Sequence, residues 1–138
     1  MSPIINKGIK KVYAGARKLE SLTELKEKYG DRLELVQLDV TNQASVDNAA
    51  KLASDSTMLI NNAGVAPAEL LPIWETKPND CQWAYGVNVM GVLHGIQAFV
   101  PAMMAHGEEG RVINTCSGNG AFINLPSTPI YTSSKASV

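Results

Sequence analysis

Apolar positions along the chain alternate between short blocks and a three-to-four spacing. Val12-Tyr13-Ala14 is a β-favouring block ended by Gly15. Leu19, Leu22, Leu25 and Tyr29 then recur at helical spacing, and Gly30-Asp31 closes that run. Residues 33–38 (LELVQL) alternate and then run apolar, which predicts a second strand. Val46, Ala49, Ala50 and Ala53 share one face of a helix predicted over Ser45 to Ala53. Thr57 to Ile60 predicts a third strand. Three prolines, Pro67, Pro72 and Pro78, make residues 65–80 an irregular connection. From Cys81 to Met104 one long helical pattern carries Tyr85, Asn88, Val89, Val92, Ile96 and Phe99. Gly91 and Gly95 weaken it locally, as small residues do where helices pack closely. Residues 111–115 (RVINT) predict a fourth strand, Gly118 to Pro129 a loop, and Tyr131 the start of a last helix. Upstream, Ile5 to Ile9 reads as the tail of a helix stopped by Gly8.

Strands that alternate with helices over short turns predict a parallel sheet with helices on both faces, a doubly wound α/β architecture. The 138 residues suit a single domain, and 45% apolar with 18% charged residues fits a globular class. With 12 basic and 13 acidic residues, the net charge of −1 favours neither nucleic acid nor an anionic membrane as partner. Cys81 and Cys116 match no metal spacing and suggest no disulfide framework. No apolar run approaches the roughly 18 residues of a membrane span, and the N-terminus does not read as a signal peptide, so a cytoplasmic setting is expected.

Three features carry chemistry. Asn61-Asn62-Ala63-Gly64 follows the third strand, at the C-terminal rim where open α/β sheets bind ligands. Asn and Gly also make ordinary turns, but a chance match to this tetrapeptide is on the order of one in a thousand. Tyr131 and Lys135, four apart on a predicted helix, share one face. An ammonium beside a phenol favours the phenolate and makes it a usable general acid/base. A chance YxxxK has odds of roughly one in four, so the pair alone decides little. Ser117 directly follows the fourth strand, which puts its hydroxyl at the same rim or makes it a turn residue.

In this order, NNAG, a long helix with Asn88 in Val87-Asn88-Val89, Ser117, then Tyr131-Thr132-Ser133-Ser134-Lys135, the sequence closely resembles the classical short-chain dehydrogenase/reductase family from about Lys10 to Val138. The resemblance implies a Rossmann-like fold, a nicotinamide cofactor, a small alcohol or carbonyl substrate as in a carbonyl reductase, and homo-dimers or homo-tetramers. It implies a catalytic set of Ser117, Tyr131, Lys135 and Asn88. Tyr131 would exchange the proton with the substrate oxygen, Ser117 orient that oxygen, Lys135 hold the nicotinamide ribose, and Asn88 hold a relay water. Cofactor contacts fall on Arg17, Lys18, Asp39, Val40, Asn61, Ala63 and Gly64, with Tyr131 and Lys135. The family's NAD-users generally place an acid at the end of the strand near Ala14. Here Ala16, Arg17 and Lys18 stand there, which favours NADP(H) over NAD(H) and suits a 2′-phosphate, although two solvated charges would look the same. Asp39 matches the adenine-contacting aspartate; by itself it reads as a turn or cap residue. Trp74, Trp83 and Met90 read as core.

The family's opening strand and TGxxxGxG turn have no counterpart before Val12. The expectation is therefore one partial domain over residues 1–138, shortened at both ends, whose absent first strand would lie between the strands at Val12 and Thr57. A chain without that strand is expected to lose two hydrogen-bonded ladders and to fold poorly alone. Two other readings stay open. One is a catalytically silent fragment that binds no nucleotide and acts through protein–protein contacts. The other, a flavodoxin-like binder, fits the fold but leaves the NNAG, serine and YxxxK set unexplained.

Overall fold

The computed structural model describes residues 9–122 and 126–138; the expected helix tail at Ile5 to Gly8 lies outside them. The first two apolar blocks form strands β1 (Val12–Ala16) and β2 (Leu33–Gln37), paired in parallel with Val12 opposite Leu33 and Ala16 opposite Gln37. β1 does not stop at Gly15, because its pairing with Val36 carries the ladder one residue further. Ala14 and Leu33 are fully buried, under Leu22, Leu25 and Tyr29. Those three residues supply the helical spacing, although the run opens as a tight 3₁₀ turn (Leu19–Leu22) before becoming helix α1 (Thr23–Tyr29). Gly30, at φ 55°, ends it, and Lys26 Nζ donates to the carbonyls of Gly30 and Leu33 at 3.0 and 2.7 Å.

Helix α2 (Gln43–Leu52) starts two residues before the expected Ser45 because Asn42 caps it, its side-chain oxygen accepting from the Ser45 N–H at 3.1 Å. The expected apolar face, Val46, Ala49, Ala50 and Ala53, is buried throughout. Strands β3 (Met58–Asn61) and β4 (Arg111–Asn114) pair in parallel with Leu59 opposite Val112 and Asn61 opposite Asn114. Among the described residues the strands thus form two parallel pairs, and β1 and β3 are not bonded to each other. That matches the expectation that another strand's place lies between them. Helix α2 joins the halves by packing against both β2 and the long helix.

The long helix runs 28 residues, from Pro78 to Ala105. It consists of α3 (Pro78–Tyr85), a π-turn over Gly86–Met90, and α4 (Gly91–Ala105). It begins three residues earlier than its apolar pattern because Pro78 is pre-organised for a first helical turn. Contrary to the expectation that no apolar run approaches a membrane span, this helix would by length and composition suffice to cross a membrane, because beyond Asp80 its apolar residues are broken only by glycines and uncharged polar residues. Two of its glycines lie in close contact with the rest of the fold. A Cβ on Gly91 would lie 2.8 Å from Val40 Cγ2, and one on Gly95 would collide with Asn61 Oδ1, so close packing is the reason for both.

Trp74, Trp83 and Met90 are not core. Trp74, 81% exposed, stands on a single turn (Ile73–Glu75) of the proline-rich connection. Trp83 and Met90 lie with Leu93 and Met104 on the exposed side of the long helix. Beyond β4 the expected loop contains a one-turn helix, α5 (Gly118–Ala121), and α6 (Pro129–Ala136) follows. Residues 123–125 of that loop lie outside the described residues.

Candidate active site

Helix α6 presents Tyr131 and Lys135 one turn apart, Tyr131 half-buried and Lys135 only 5% exposed. The Lys135 ammonium donates to the Thr115 carbonyl, just past β4, at 2.8 Å. It also lies against the NNAG turn, since a Cβ on Gly64 would sit 3.2 Å from Nζ. The ion pairs among the described residues are Lys11–Glu34, Lys77–Glu69 and Arg111–Glu109, so no carboxylate there neutralises Lys135.

Asn88 sits in the π-turn and is fully buried. Its amide nitrogen donates to the Val65 carbonyl at 2.9 Å and to the Ser134 hydroxyl at 2.8 Å, and its oxygen accepts from the Val65 N–H at 2.8 Å. Both amide hydrogens are therefore used by protein groups. The expected role of Asn88, holding a relay water, has to be met by its oxygen atoms. Sequence reasoning missed Val65 and Ser134, and no spacing signal could have found them, because they lie 23 and 46 residues from Asn88.

Ser117 caps α5, its hydroxyl oxygen accepting from the Asn119 N–H at 3.3 Å, so its own hydrogen remains to be donated. That single turn packs against α6 so tightly that a Cβ on Gly120 would lie 2.6 and 2.7 Å from the Lys135 carbonyl carbon and oxygen. Cys116 Sγ approaches the same carbonyl oxygen at 3.6 Å. Side chains also stitch the strand ends. Asn61 Nδ2 donates to Asn114 Oδ1 at 2.9 Å, and Thr115 Oγ1 to Asn62 Oδ1 at 3.1 Å. Ala63 and Gly64 are left exposed at the rim. Next to Tyr131, a small cleft of about 60 Å³ is walled by Pro67, Leu70, Leu71 and Ile130.

The residues expected to meet the adenosine end gather at a separate place. Arg17 and Asp39 line an open cleft of about 600 Å³ with Gln37, Asn42, Ser45 and Asn48, within the usual size range for ligand pockets. Lys18 is exposed, and its carbonyl accepts from Ser21. Val40 is half-buried, with its carbonyl 2.8 Å from His94 Nδ1. Asp39 is a turn residue as well: its Oδ1 accepts from the Thr41 hydroxyl at 2.7 Å and the Thr41 N–H at 2.9 Å.

Those two bonds hold the Asp39 carboxyl below its usual 3.8, with a smaller contribution from the Arg17 charge. A depressed carboxyl stabilises the fold above its unfolded-state pKa, and the contribution disappears as pH falls through the folded value. Solvent around this carboxylate keeps the effect small. Asp39→Asn is expected to lower Tm modestly near neutrality and to match the parent at the acid end. A Tm difference independent of pH would contradict this.

The sequence profile of the short chain dehydrogenase family matches residues 3–138. A CLA biosynthesis dehydrogenase/reductase from Lactiplantibacillus plantarum is 33% identical over 112 residues, covering 77% of this chain and 37% of the relative. A short chain dehydrogenase from Burkholderia cenocepacia J2315, solved in complex with NADP, aligns with a TM-score of 0.86 at 36% identity, over 99% of this chain and 54% of that one. A short chain dehydrogenase/reductase from Burkholderia phymatum, solved in complex with NAD, gives 0.83 at 34% identity, over 92% and 47%. This chain thus spans between about a third and about half of the length of these relatives. Sharing their parallel strands and flanking helices, the chain belongs to the short-chain dehydrogenase family of oxidoreductases and has its Rossmann-like α/β fold.

Proposed function

We propose that the protein moves a hydride between NADP(H) and a small alcohol or carbonyl substrate, with Tyr131 as general acid/base. The observation that carries this reading is the placement of Lys135, a buried residue one helical turn from Tyr131, whose ammonium is seated against Gly64 and ion-paired to no carboxylate among the described residues. An ammonium has three hydrogens and the Thr115 carbonyl takes one, so two can be donated to ribose hydroxyls, and the bare Gly64 keeps the approach open. The nicotinamide, when bound, supplies or receives the hydride. Tyr131 gives its proton to the substrate oxygen during reduction and takes the hydroxyl proton in the reverse direction. Ser117 donates its remaining hydrogen to the same oxygen and orients it. With both amide hydrogens of Asn88 engaged, a relay water near Lys135 would donate to an Asn88 oxygen. A nucleotide titration tests the reading at its first step: saturable NADP(H) binding is expected, and a folded protein that binds no nicotinamide nucleotide would refute it.

The preference for NADP(H) rests on Arg17, which lines the 600 Å³ cleft at the end of β1, with the exposed Lys18 beside it and no acid at Ala16. Asp39 offsets part of the Arg17 charge. A 2′-phosphate would still gain a charged hydrogen bond there. Arg17→Ala is expected to weaken NADP(H) binding by about 1–3 kcal/mol, the range for bonds to charged groups, and to leave NAD(H) nearly unchanged. Equal losses for both nucleotides in a binding titration would contradict this assignment.

Trp83, Met90, Leu93 and Met104 form an exposed apolar strip on the long helix. In our reading two copies pair through this strip, giving a dimer or tetramer. The complete protein is expected to sediment as an oligomer at micromolar concentration; a monomer would refute the pairing. The near-neutral charge gives no attraction for nucleic acid or an anionic membrane, in keeping with a cytoplasmic enzyme of small molecules.

A further inference from the structure

A serine inside a helix ordinarily bonds back to a carbonyl one turn earlier. Ser134 does so, donating to the Tyr131 carbonyl at 2.9 Å. It also carries a second bond, from the Asn88 amide at 2.8 Å, in a position with no solvent exposure. The proton directions follow from the inventory of donors. Asn88 Nδ2 has two hydrogens, and one of them goes to the Val65 carbonyl, so the other goes to the Ser134 oxygen. The single hydroxyl hydrogen of Ser134 is then free only for the Tyr131 carbonyl. One unbranched path of hydrogen bonds thus runs from the turn after β3, through the π-turn, to the backbone of Tyr131.

We infer that Ser134 is a positioning residue: its hydroxyl fixes α6, and with it Tyr131 and Lys135, relative to Asn88 and the Asn61–Val65 turn. The physical reason is the cost of the alternative. Removing the hydroxyl leaves one Asn88 N–H without an acceptor in a dry site, so the amide must turn or admit water. Either change loosens the grip of Asn88 on Val65. Gly64, adjacent to Val65, is the residue that Lys135 packs against. A disturbance at Ser134 therefore reaches the site from both of its sides.

The test reads the Val65 amide, whose N–H is held by Asn88 Oδ1. In Ser134→Ala, hydrogen exchange at Val65 is expected to speed up by about fivefold to tenfold, the equivalent of one lost hydrogen bond, while amides of α2 keep their parent rates. In Asn88→Ala, Val65 is already fast, and adding Ser134→Ala changes it no further. A purely helical role of Ser134 would leave Val65 alone, and an unchanged Val65 overturns the inference. So does a uniform acceleration that includes α2, because the hydroxyl would then support only global stability. A kinetic arm rests on the oxidoreductase reading: kcat should fall by about tenfold. The exchange arm needs no turnover, so a parent protein inactive toward carbonyls would count against the proposed activity and leave the Ser134 result standing.

Discussion

Tyr131→Phe is expected to lower turnover by about two to four orders of magnitude, the range that a positioned general acid/base contributes. The substitution removes one oxygen from a half-buried ring and leaves α6 its packing, including the Lys135 bond to the Thr115 carbonyl. NADP(H) affinity should therefore change by less than about threefold. Steady-state kinetics with a binding titration on the same preparation check both halves. Near-normal turnover in the phenylalanine variant would remove Tyr131 from the mechanism. Loss of cofactor binding would show that its oxygen serves the nucleotide rather than the substrate.

Gly120→Ala is the second large effect. The added Cβ would meet the Lys135 carbonyl carbon and oxygen at 2.6 and 2.7 Å and the Ala136 nitrogen at 2.9 Å. These are backbone atoms of a helix and cannot swing aside, so α5 and α6 have to separate. Overpacking of this kind costs about 1–3 kcal/mol, which lowers Tm by roughly 5–15 °C in a domain of this size. Because Ser117 caps α5 and α6 carries Tyr131, the separation should also cut turnover at temperatures where the variant remains folded. Gly86→Ala is the control: its Cβ would meet only the Thr41 methyl, at an ordinary 3.9 Å. Melting curves of the two variants should differ by most of the predicted shift, and equal curves would contradict the packing argument.

The secondary structure was legible wherever one period dominated. The alternating LELVQL block became β2, and the face of Val46, Ala49, Ala50 and Ala53 became the buried side of α2. Boundaries moved where a cap or proline outweighed the apolar pattern, as Asn42 did for α2 and Pro78 for the long helix. The π-turn was not legible. Its extra residue, seen in the Gly91 N–H bonding to the Gly86 carbonyl, leaves no mark in a pattern already blurred by two glycines. The fates of Trp74, Trp83 and Met90 were misread because size and apolarity do not say which side of a helix has a neighbour.

The candidate site was legible as a set of residues and only partly as an arrangement. Tyr131 and Lys135 share a face by helical geometry, and NNAG sits at a strand end as expected. That Lys135 is buried against Gly64, or that Asn88 spends both amide hydrogens on Val65 and Ser134, depends on contacts between distant segments. Gly120 was unremarkable in sequence because its reason is a backbone approach from another helix.

The measurement that bears most directly on the proposed chemistry is transfer of deuterium from NADPH carrying deuterium at both C4 positions of the nicotinamide to a carbonyl substrate. The label is expected on the former carbonyl carbon, one per NADPH consumed, and the Tyr131→Phe protein is expected to bind the same nucleotide but to transfer the label far more slowly. A folded protein that binds NADPH and passes no deuterium to any of a broad panel of aldehydes and ketones would contradict the proposed chemistry.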